Sequence, residues 1–367
     1  MNNNHTKSSH EALFHITKRS RDSLPFVKTS LIRCVAVILA LIVSAIVIMI
    51  LTKENPIKIY QSMISGAFGT ERRIWNLVQA LSILLCISLA VTPAFKMKFW
   101  NCGAEGQVLI GGLACVTCMF YLGNVLSPAL LLVVMTIASI IAGAIWAIIP
   151  AVFKGRWNTN ETLFTLMMNY IAIQLVSFLI KSWVSDGSGV LRPMHDYGFP
   201  MIFGQKYMLN AVIVAILTIV MYIYLKYSKQ GYEISVVGES EKTANYIGIN
   251  VKHVITRTML LSGALCGIAG LLIVGGTDHT ISTTTAGGRG FTAIMVSWLA
   301  KFNPIVMILT SFLIVFLERG AEQVSSQFRI PSAISDIITG IILFFIIGCE
   351  FFLQYKIVFS KHRKENE

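Results

Sequence analysis

Polar side chains that could contact a solute occur together in Phe99–Ala114, FWNCGAEGQVLIGGLA, within a chain dominated by apolar segments. The stretch carries amides at Asn101 and Gln107, a carboxyl group at Glu105, and four glycines. Ionisable and amide groups are costly in hydrocarbon, so their presence in a membrane segment indicates either a transport path or a bond between helices.

Both roles fit Glu105 and Gln107. In one, the glycines interrupt the helix where it lines a water-filled cavity, and the side chains offer hydrogen bonds to a hydroxylated or heterocyclic solute. In the other, the same groups bond to neighbouring helices and hold the bundle together. We take Asn101, Glu105 and Gln107 as candidate substrate-path residues and keep the second role open.

Three more polar residues lie in apolar segments further along the chain. Asn169 and Tyr170 are further path candidates, although packing between helices explains them equally well. Asp336 follows Pro331 by five residues, and an ion pair with an arginine is the alternative to substrate contact. The arginines available for that pair are Arg289, Arg319 and Arg329.

The composition indicates a membrane protein. The 367 residues are 55% hydrophobic and 13% charged, and the mean hydropathy is +0.69, which is too apolar for an ordinary water-soluble domain. Apolar runs of about 20 residues recur, and each can cross the hydrocarbon core as a helix. We therefore predict an all-α polytopic bundle with ten transmembrane helices, two of them short. The predicted segments are 34–51, 74–95, 102–122, 129–152, 162–180, 209–225, 258–276, 290–300, 304–317 and 331–353.

Charge distribution gives an orientation for the three predicted regions. Residues 1–33 form a basic tail, 34–353 the transmembrane domain, and 354–367 a second tail. If both tails are cytoplasmic, 20 of the 30 lysines and arginines lie on the cytoplasmic side, as the positive-inside rule requires. The sequence therefore predicts a multi-pass membrane protein with both termini in the cytoplasm.

Several other classes of protein fit the sequence less well. The formal charge of +12 is explained by basic loops that fix topology, so no nucleic acid partner is expected. The seven cysteines lie in or beside apolar runs and are interpreted as packing residues, without disulfides or metal. No G-x-x-x-x-G-K-[ST] motif is present, so we expect neither an ATPase nor any other enzyme, and no cofactor of its own.

A short internal similarity links two glycine-rich segments. Gly103–Ile110 aligns with Gly287–Ile294, which places Glu105 opposite Arg289. Gly-interrupted segments at corresponding positions of two halves are typical of transporter binding sites. We interpret the similarity as an internal repeat.

The loop 226–257 contains a predicted helix of its own. Ser240 can cap a helix start, and Gly248 suits the left-handed residue that ends one. A helix of two turns at 240–247 is not stable by itself. It therefore needs a partner surface, which is either a separate subunit or the membrane domain of the same chain.

This loop carries a family resemblance. Gly231–Val251, GYEISVVGESEKTANYIGINV, resembles the cytoplasmic coupling segment of ABC-transporter permeases of the ribose and branched-chain amino acid type. The resemblance covers about residues 74–345, and the NCGAEGQ form of the first polar stretch is similar to the nucleoside branch. Other stretches agree with the family in order: Asn101–Gln107, Asn160–Ala172, Ser262–Gly270, Gly290–Pro304 and Pro331–Gly340.

The resemblance implies a location in the bacterial plasma membrane, and it implies several partners. It implies a cytoplasmic ATPase subunit that uses the ATP, a second permease subunit in a heterodimer, and an extracellular substrate-binding lipoprotein. Thr292 stands where the family usually has an aspartate, which weakens a ligand role at that position. The residues expected to contact the ATPase are Glu241, Ala244, Tyr246, Ile247 and Gly248.

The resemblance also implies import of nucleosides or related ribosylated or heterocyclic solutes, with a sugar or riboflavin permease as the alternative. Two further classes stay open at this point. An ATP-independent secondary transporter also uses repeats and broken helices, but it would not need a docking helix. A membrane scaffold or enzyme subunit would not need an acid in a glycine-rich membrane segment.

Overall fold

The computed structural model describes residues 14–18, 26–52, 54–184, 191–194, 197–202 and 204–359. Within these ranges the chain forms thirteen helices and two short strands. In chain order they are β1 (Phe14–Lys18), α1 (Phe26–Thr52), α2 (Pro56–Phe68), α3 (Glu71–Lys96), α4 (Ala104–Leu122), α5 (Pro128–Trp157), α6 (Glu161–Trp183), α7 (Met208–Tyr227), α8 (Lys229–Glu239), α9 (Glu241–Tyr246), α10 (Val251–Ile273) with a π-helical turn (Val274–Asp278), α11 (Arg289–Leu299), α12 (Pro304–Phe328), α13 (Ser332–Gln354) and β2 (Tyr355–Phe359).

The predicted helical membrane bundle is confirmed. Seven helices of the described chain are long and apolar enough to cross a membrane: α3, α4, α5, α6, α7, α10 with its π-helical turn, and α12. Shorter apolar stretches, Val35–Ile50 and Ile337–Cys349, lie within α1 and α13. The strands β1 and β2 were not predicted, and they pair antiparallel with Phe14 opposite Phe359.

Two of the predicted segments differ from the observed helices. The segment predicted at 290–300 corresponds to α11, whose 11 residues span only about 16 Å and cannot cross a membrane alone. The segment predicted at 304–317 is the first part of α12, which has 25 residues. Of the predicted tails, residues 1–13, 19–25 and 360–367 lie outside the described part.

The chain divides into two compact units, and the division falls within α12. The first unit contains residues 1–66 and 318–367, in which α1 packs along α13 and β1 pairs with β2. In this unit the Ser62 hydroxyl donates to Gln327 Oε1 at 2.6 Å. The second unit, residues 67–317, holds the helices that form the candidate site.

Glycines allow close helix packing at the centre of the second unit. A Cβ on Gly267 of α10 would collide with the backbone oxygen of Ser139 in α5, and Gly111 of α4 lies against the backbone of Gly267. Gly263, four residues earlier, lies against Gly143 in the same way. The G-x-x-x-G spacing therefore brings α4 and α5 against α10 at backbone distance.

Candidate functional site

The first polar stretch enters the bundle before α4 begins. After α3 ends, the chain turns back along α10, where the Asn101 amide donates to the Ser262 hydroxyl at 3.1 Å. Ser262 is eleven residues after the start of α10, about 16 Å along the helix axis. The N-terminus of α4 consequently lies inside the bundle and not at its end.

A buried network joins Asn101 to Gln107. The two amides exchange hydrogen bonds, from Asn101 Nδ2 to Gln107 Oε1 at 3.3 Å and from Gln107 Nε2 to Asn101 Oδ1 at 3.1 Å. Asn101 Oδ1 also accepts from the backbone N–H of Gly103 at 3.2 Å. Both amides are buried, and their hydrogen bonds hold the start of α4 in place.

Glu105 joins α4 to α11. Its Oε1 accepts from the backbone N–H of Gly288 at 2.6 Å, and its Oε2 accepts from that of Gly290 at 2.8 Å. These N–H groups belong to the N-terminus of α11, where a carboxylate satisfies unpaired donors and interacts favourably with the helix dipole. The carboxylate is buried, which favours the bundle-holding role that the sequence had left open.

Asn169 anchors the same helix start from α6. Its Oδ1 accepts from the backbone N–H of Gly106, and its Nδ2 donates to the carbonyl oxygen of Cys102, both at 2.9 Å. The neighbouring Tyr170 does not join the cluster, because it is 64% exposed on another face of α6. Asp336 lies in α13, and its side chain is outside the described part of the structure.

The chain returns from the π-helical turn to Glu105 without regular structure. Ile281 packs close to Gly112 of α4, and Gly288 meets Glu105 one to two turns nearer the start of that helix. From there α11 runs back towards the end of α3, where Ser297 and Thr92 share a hydrogen bond of 2.8 Å. The irregular segment 279–288 and the short helix α11 together cover the distance that a single transmembrane helix would span.

The short helix predicted at 240–247 is present as α9, Glu241–Tyr246. The Ser240 hydroxyl accepts from the backbone N–H of Thr243 at 3.2 Å, and Gly248 has φ +83°, so both predicted ends are confirmed. The helix α8, which precedes it, was not predicted. A Cβ on Gly238 of α8 would collide with the carbonyl oxygen of Lys96, so α8 packs tightly on the end of α3.

The two sides of α9 differ in exposure. Ala244 is 0% exposed and packs in a core that includes Ile234 and Ile255. Tyr246 is 95% exposed and Ile247 is 56% exposed, and Glu241 and Gly248 are also exposed. Ala244 thus faces its own chain and not a partner, which revises the contact role expected from the sequence. The alternative partner surface, the membrane domain of the same chain, holds this side of α9.

An ion pair ties α8 to α10. Arg257 of α10 donates to Glu233 Oε2 of α8 at 2.8 Å, and both side chains are largely buried. Because α8 is tied to α10 and packed on α3, a displacement of α9 would be transmitted to two long helices of the bundle. The exposed tip of α9 is thus connected through α8 to α10, the helix that carries Ser262.

Some site residues were missed from the sequence. Ser262 and Gly290 belong to stretches that the resemblance had identified, and Gly288 belongs to the internal similarity with Gly103–Ile110. Their role as partners of Asn101 and Glu105 had no local signal. The polar run from Ser282 to Thr285 was not singled out either. Its four consecutive hydroxyl residues between two long apolar segments were the available signal.

Comparison with known proteins identifies the class. Over residues 73–347 the chain matches the family described as branched-chain amino acid transport system / permease component, and it belongs to that family. The chain is therefore a multi-pass ABC-transporter permease. Permeases of this family work with an ATPase and a substrate-binding protein.

Three relatives of this chain have names that state a substrate. The guanosine permease NupP of Bacillus subtilis is 28% identical, over 86% of this chain and 92% of its own length. The nucleoside permease NupB of Lactococcus lactis is 25% identical over 92% and 95%. The glucose permease TsgB13 of Haloferax volcanii is 29% identical over 79% and 80%.

Proposed function

We propose that this chain is one of two non-identical permease subunits of an ATP-driven importer of nucleosides or related ribosylated compounds. The observation that carries the substrate class is the similarity to the two nucleoside-related permeases, which extends over more of the chain than the similarity to the glucose permease. Substrate reaches the permease from an extracellular binding lipoprotein.

Docking of the ATPase rests on the geometry of α9. Tyr246 and Ile247 present a small apolar tip, and Glu241 adds a charge at the helix start. The buried Ala244 anchors this tip on a rigid base, so force applied to the tip displaces α8 and α10 together. Aromatic residues at exposed tips are frequent anchors of protein interfaces.

The orientation in the plasma membrane follows from charge and from the paired tails. The positive-inside count favours cytoplasmic tails, and the pairing of β1 with β2 supports a common side for both termini. That side is the cytoplasm, since this choice places 20 of the 30 lysines and arginines there, in agreement with the positive-inside rule.

Two other functions have some support. Transport of a sugar is favoured by the similarity to the glucose permease. Secondary transport has less support, because nothing in that mechanism requires the exposed tip of α9.

ATP hydrolysis by the assembled transporter tests the proposal. The chain is co-expressed with its ATPase, partner permease and binding protein and placed in lipid nanodiscs. Guanosine, adenosine, cytidine, glucose, ribose and riboflavin are added singly with saturating binding protein. We expect the nucleosides to raise the hydrolysis rate several-fold and glucose and riboflavin to leave it at the basal level.

The same experiment separates the alternatives. Stimulation by glucose alone would replace the nucleoside assignment with the sugar assignment. Failure of the chain to co-purify with any ATPase would overturn the ABC importer itself. The double variant Tyr246→Ala, Ile247→Ala is the matched control, since it should lose stimulation while the membrane domain stays folded.

A further inference from the structure

The irregular segment before α11 exposes polar groups deep in the bundle. Ser282, Thr284, Gly287 and Gly288 are exposed, while Ile281 and Ala286 between them are buried. The segment runs beside α4 from the level of Gly112 to that of Glu105. It therefore presents its hydroxyl groups and open backbone on one side and rests on α4 with the other.

The position of Glu105 shows how far this segment lies from the end of the bundle. The next residue of α4, Gly106, bonds to Asn169, which is eight residues after the start of α6 and hence about 12 Å from that end of the helix. Gly288 thus lies well inside the length of the bundle. Non-helical backbone at that depth is tolerated only where protein buries it or where it lines a water-filled cavity.

Internal hydrogen bonds satisfy only part of the segment. The backbone N–H of Ser282 donates to Thr285 Oγ1 at 2.8 Å, and the hydroxyls of Ser282 and Thr284 lie 3.1 Å apart. These bonds shape a turn whose outer hydroxyl edge is exposed. Contact of that edge with lipid tails would leave polar groups without partners, so this face of the chain is turned away from lipid.

The outward face of α11 continues the same surface. Phe291, Met295 and Trp298 are exposed, and their spacing of four and three residues places them on one side of the helix. Trp298 lies beside Trp100, with ring centroids 6.0 Å apart, and these two rings are 48% and 47% exposed. The exposed surface thus has a hydroxyl-rich half, formed by Ser282–Gly288, and an aromatic half, formed by Trp100 and the outward face of α11. The two halves lie end to end.

We propose that Ser282–Gly288 and the outward face of α11 form the wall of the substrate path contributed by this subunit. The hydroxyl half would bind the ribose and polar edges of a nucleoside, and the rings of Trp100 and Trp298 would stack on its base. Glu105 lies behind this wall and fixes α11, so it positions the path without lining it. The substrate class rests on the proposed function, whereas the location of the path rests on the backbone geometry alone.

Water accessibility of single cysteines tests the location. Thr284→Cys is compared in the assembled transporter with Ile216→Cys, which lies on an exposed apolar face of α7, and with the unmodified chain as background. A charged thiosulfonate reacts only with thiols in contact with water. We expect Thr284→Cys to react at least about ten times faster than Ile216→Cys in one or more nucleotide states.

Substrate effects test the assignment of the wall. Saturating nucleoside should slow the labelling of Thr284→Cys, and Thr284→Val should raise the KM for uptake by about three- to tenfold with kcat retained, as loss of one hydrogen bond predicts. Equal, slow labelling of the two cysteine variants in every nucleotide state would overturn the path. Fast labelling of Thr284→Cys with no nucleoside uptake by the native transporter would retain the path and overturn the substrate.

Discussion

At the scale of single residues, Glu105 connects the two glycine-rich helix starts. The sequence indicated that an acid in this position had to be paired or exposed to water, and both readings were reasonable. Its partners, the N–H groups of Gly288 and Gly290, are 183 and 185 residues away. No local pattern could identify them, because backbone donors are present at every non-proline position.

Replacing Glu105 should affect assembly before it affects transport. Glu105→Ala leaves two N–H groups at the start of α11 without an acceptor, and each buried unpaired group costs about 1–3 kcal/mol. We expect a lower melting temperature and a lower yield of the purified complex, with Glu105→Gln intermediate because it retains one acceptor oxygen.

Glu239→Ala is the control for this prediction, since Glu239 is an exposed acid of the same unit. It should leave the melting temperature unchanged. Normal stability of Glu105→Ala together with complete loss of uptake would instead show that the carboxylate acts on the substrate.

Gly290 is a second test of the junction between α4 and α11. A Cβ at this position would lie 2.6 Å from the backbone nitrogen of Glu105, so Gly290→Ala should push the helices apart at a cost of about 1–3 kcal/mol. A thermal shift assay on the purified complex measures this loss. Gly340→Ala, where no atom lies within 4 Å of the added Cβ, should have little effect.

At the scale of elements, local signals predicted α9 well and α11 poorly. Ser240 and Gly248 mark the two ends of α9 by side-chain capping and by positive φ, and both effects are encoded within a few residues. The helix α8 also begins at a capping serine, since the Ser228 hydroxyl accepts from the backbone N–H of Gly231 at 2.9 Å, but this signal was missed, and no local pattern shows that Gly238 approaches the distant Lys96. The start of α11 likewise depends on a distant residue, because Glu105 accepts from the N–H groups of Gly288 and Gly290.

The exposed tip of α9 should control coupling. Tyr246→Ala with Ile247→Ala should reduce co-purification with the ATPase by about tenfold or more, because aromatic and apolar tips dominate such interfaces. Lys242→Ala on the same helix should retain binding. If the double variant binds the ATPase with native affinity, the tip is not the contact.

A substitution at Gly248 tests the role of α9 through the backbone conformation at its end. Gly248→Val meets no steric obstacle, but its φ of +83° is strained for a β-branched residue by about 1–3 kcal/mol. We expect weaker coupling, measured as substrate-stimulated hydrolysis per bound ATPase, in a complex of normal abundance. Full stimulation would show that the end of α9 tolerates rearrangement.

At the scale of the whole molecule, composition was enough to predict a helical membrane bundle. The number of crossings was harder to predict, because hydropathy cannot distinguish a short transmembrane helix from an irregular segment joined to a half-length helix. The division within α12 into two units follows Leu317, where the predicted apolar segment 304–317 ends, but hydropathy marks this point only as the end of a membrane segment and not as a boundary between units.

Topology is tested by labelling two exposed lysine positions. Lys206→Cys, just before α7, should react with an impermeant thiol reagent in intact cells. Lys242→Cys, on α9, should react only after the cells are permeabilised. The reverse pattern would place α9 outside the cell and exclude an intracellular ATPase as its partner.

Transport of labelled guanosine out of inverted proteoliposomes tests the central claim most directly. The complete transporter is oriented in the vesicles with α9 on the outside. The vesicles enclose the binding protein together with the nucleoside, so that import corresponds to loss from the lumen. We predict that external ATP drives this loss and that ADP or a non-hydrolysable analogue does not. Guanosine movement that proceeds equally without ATP or the ATPase would contradict the account.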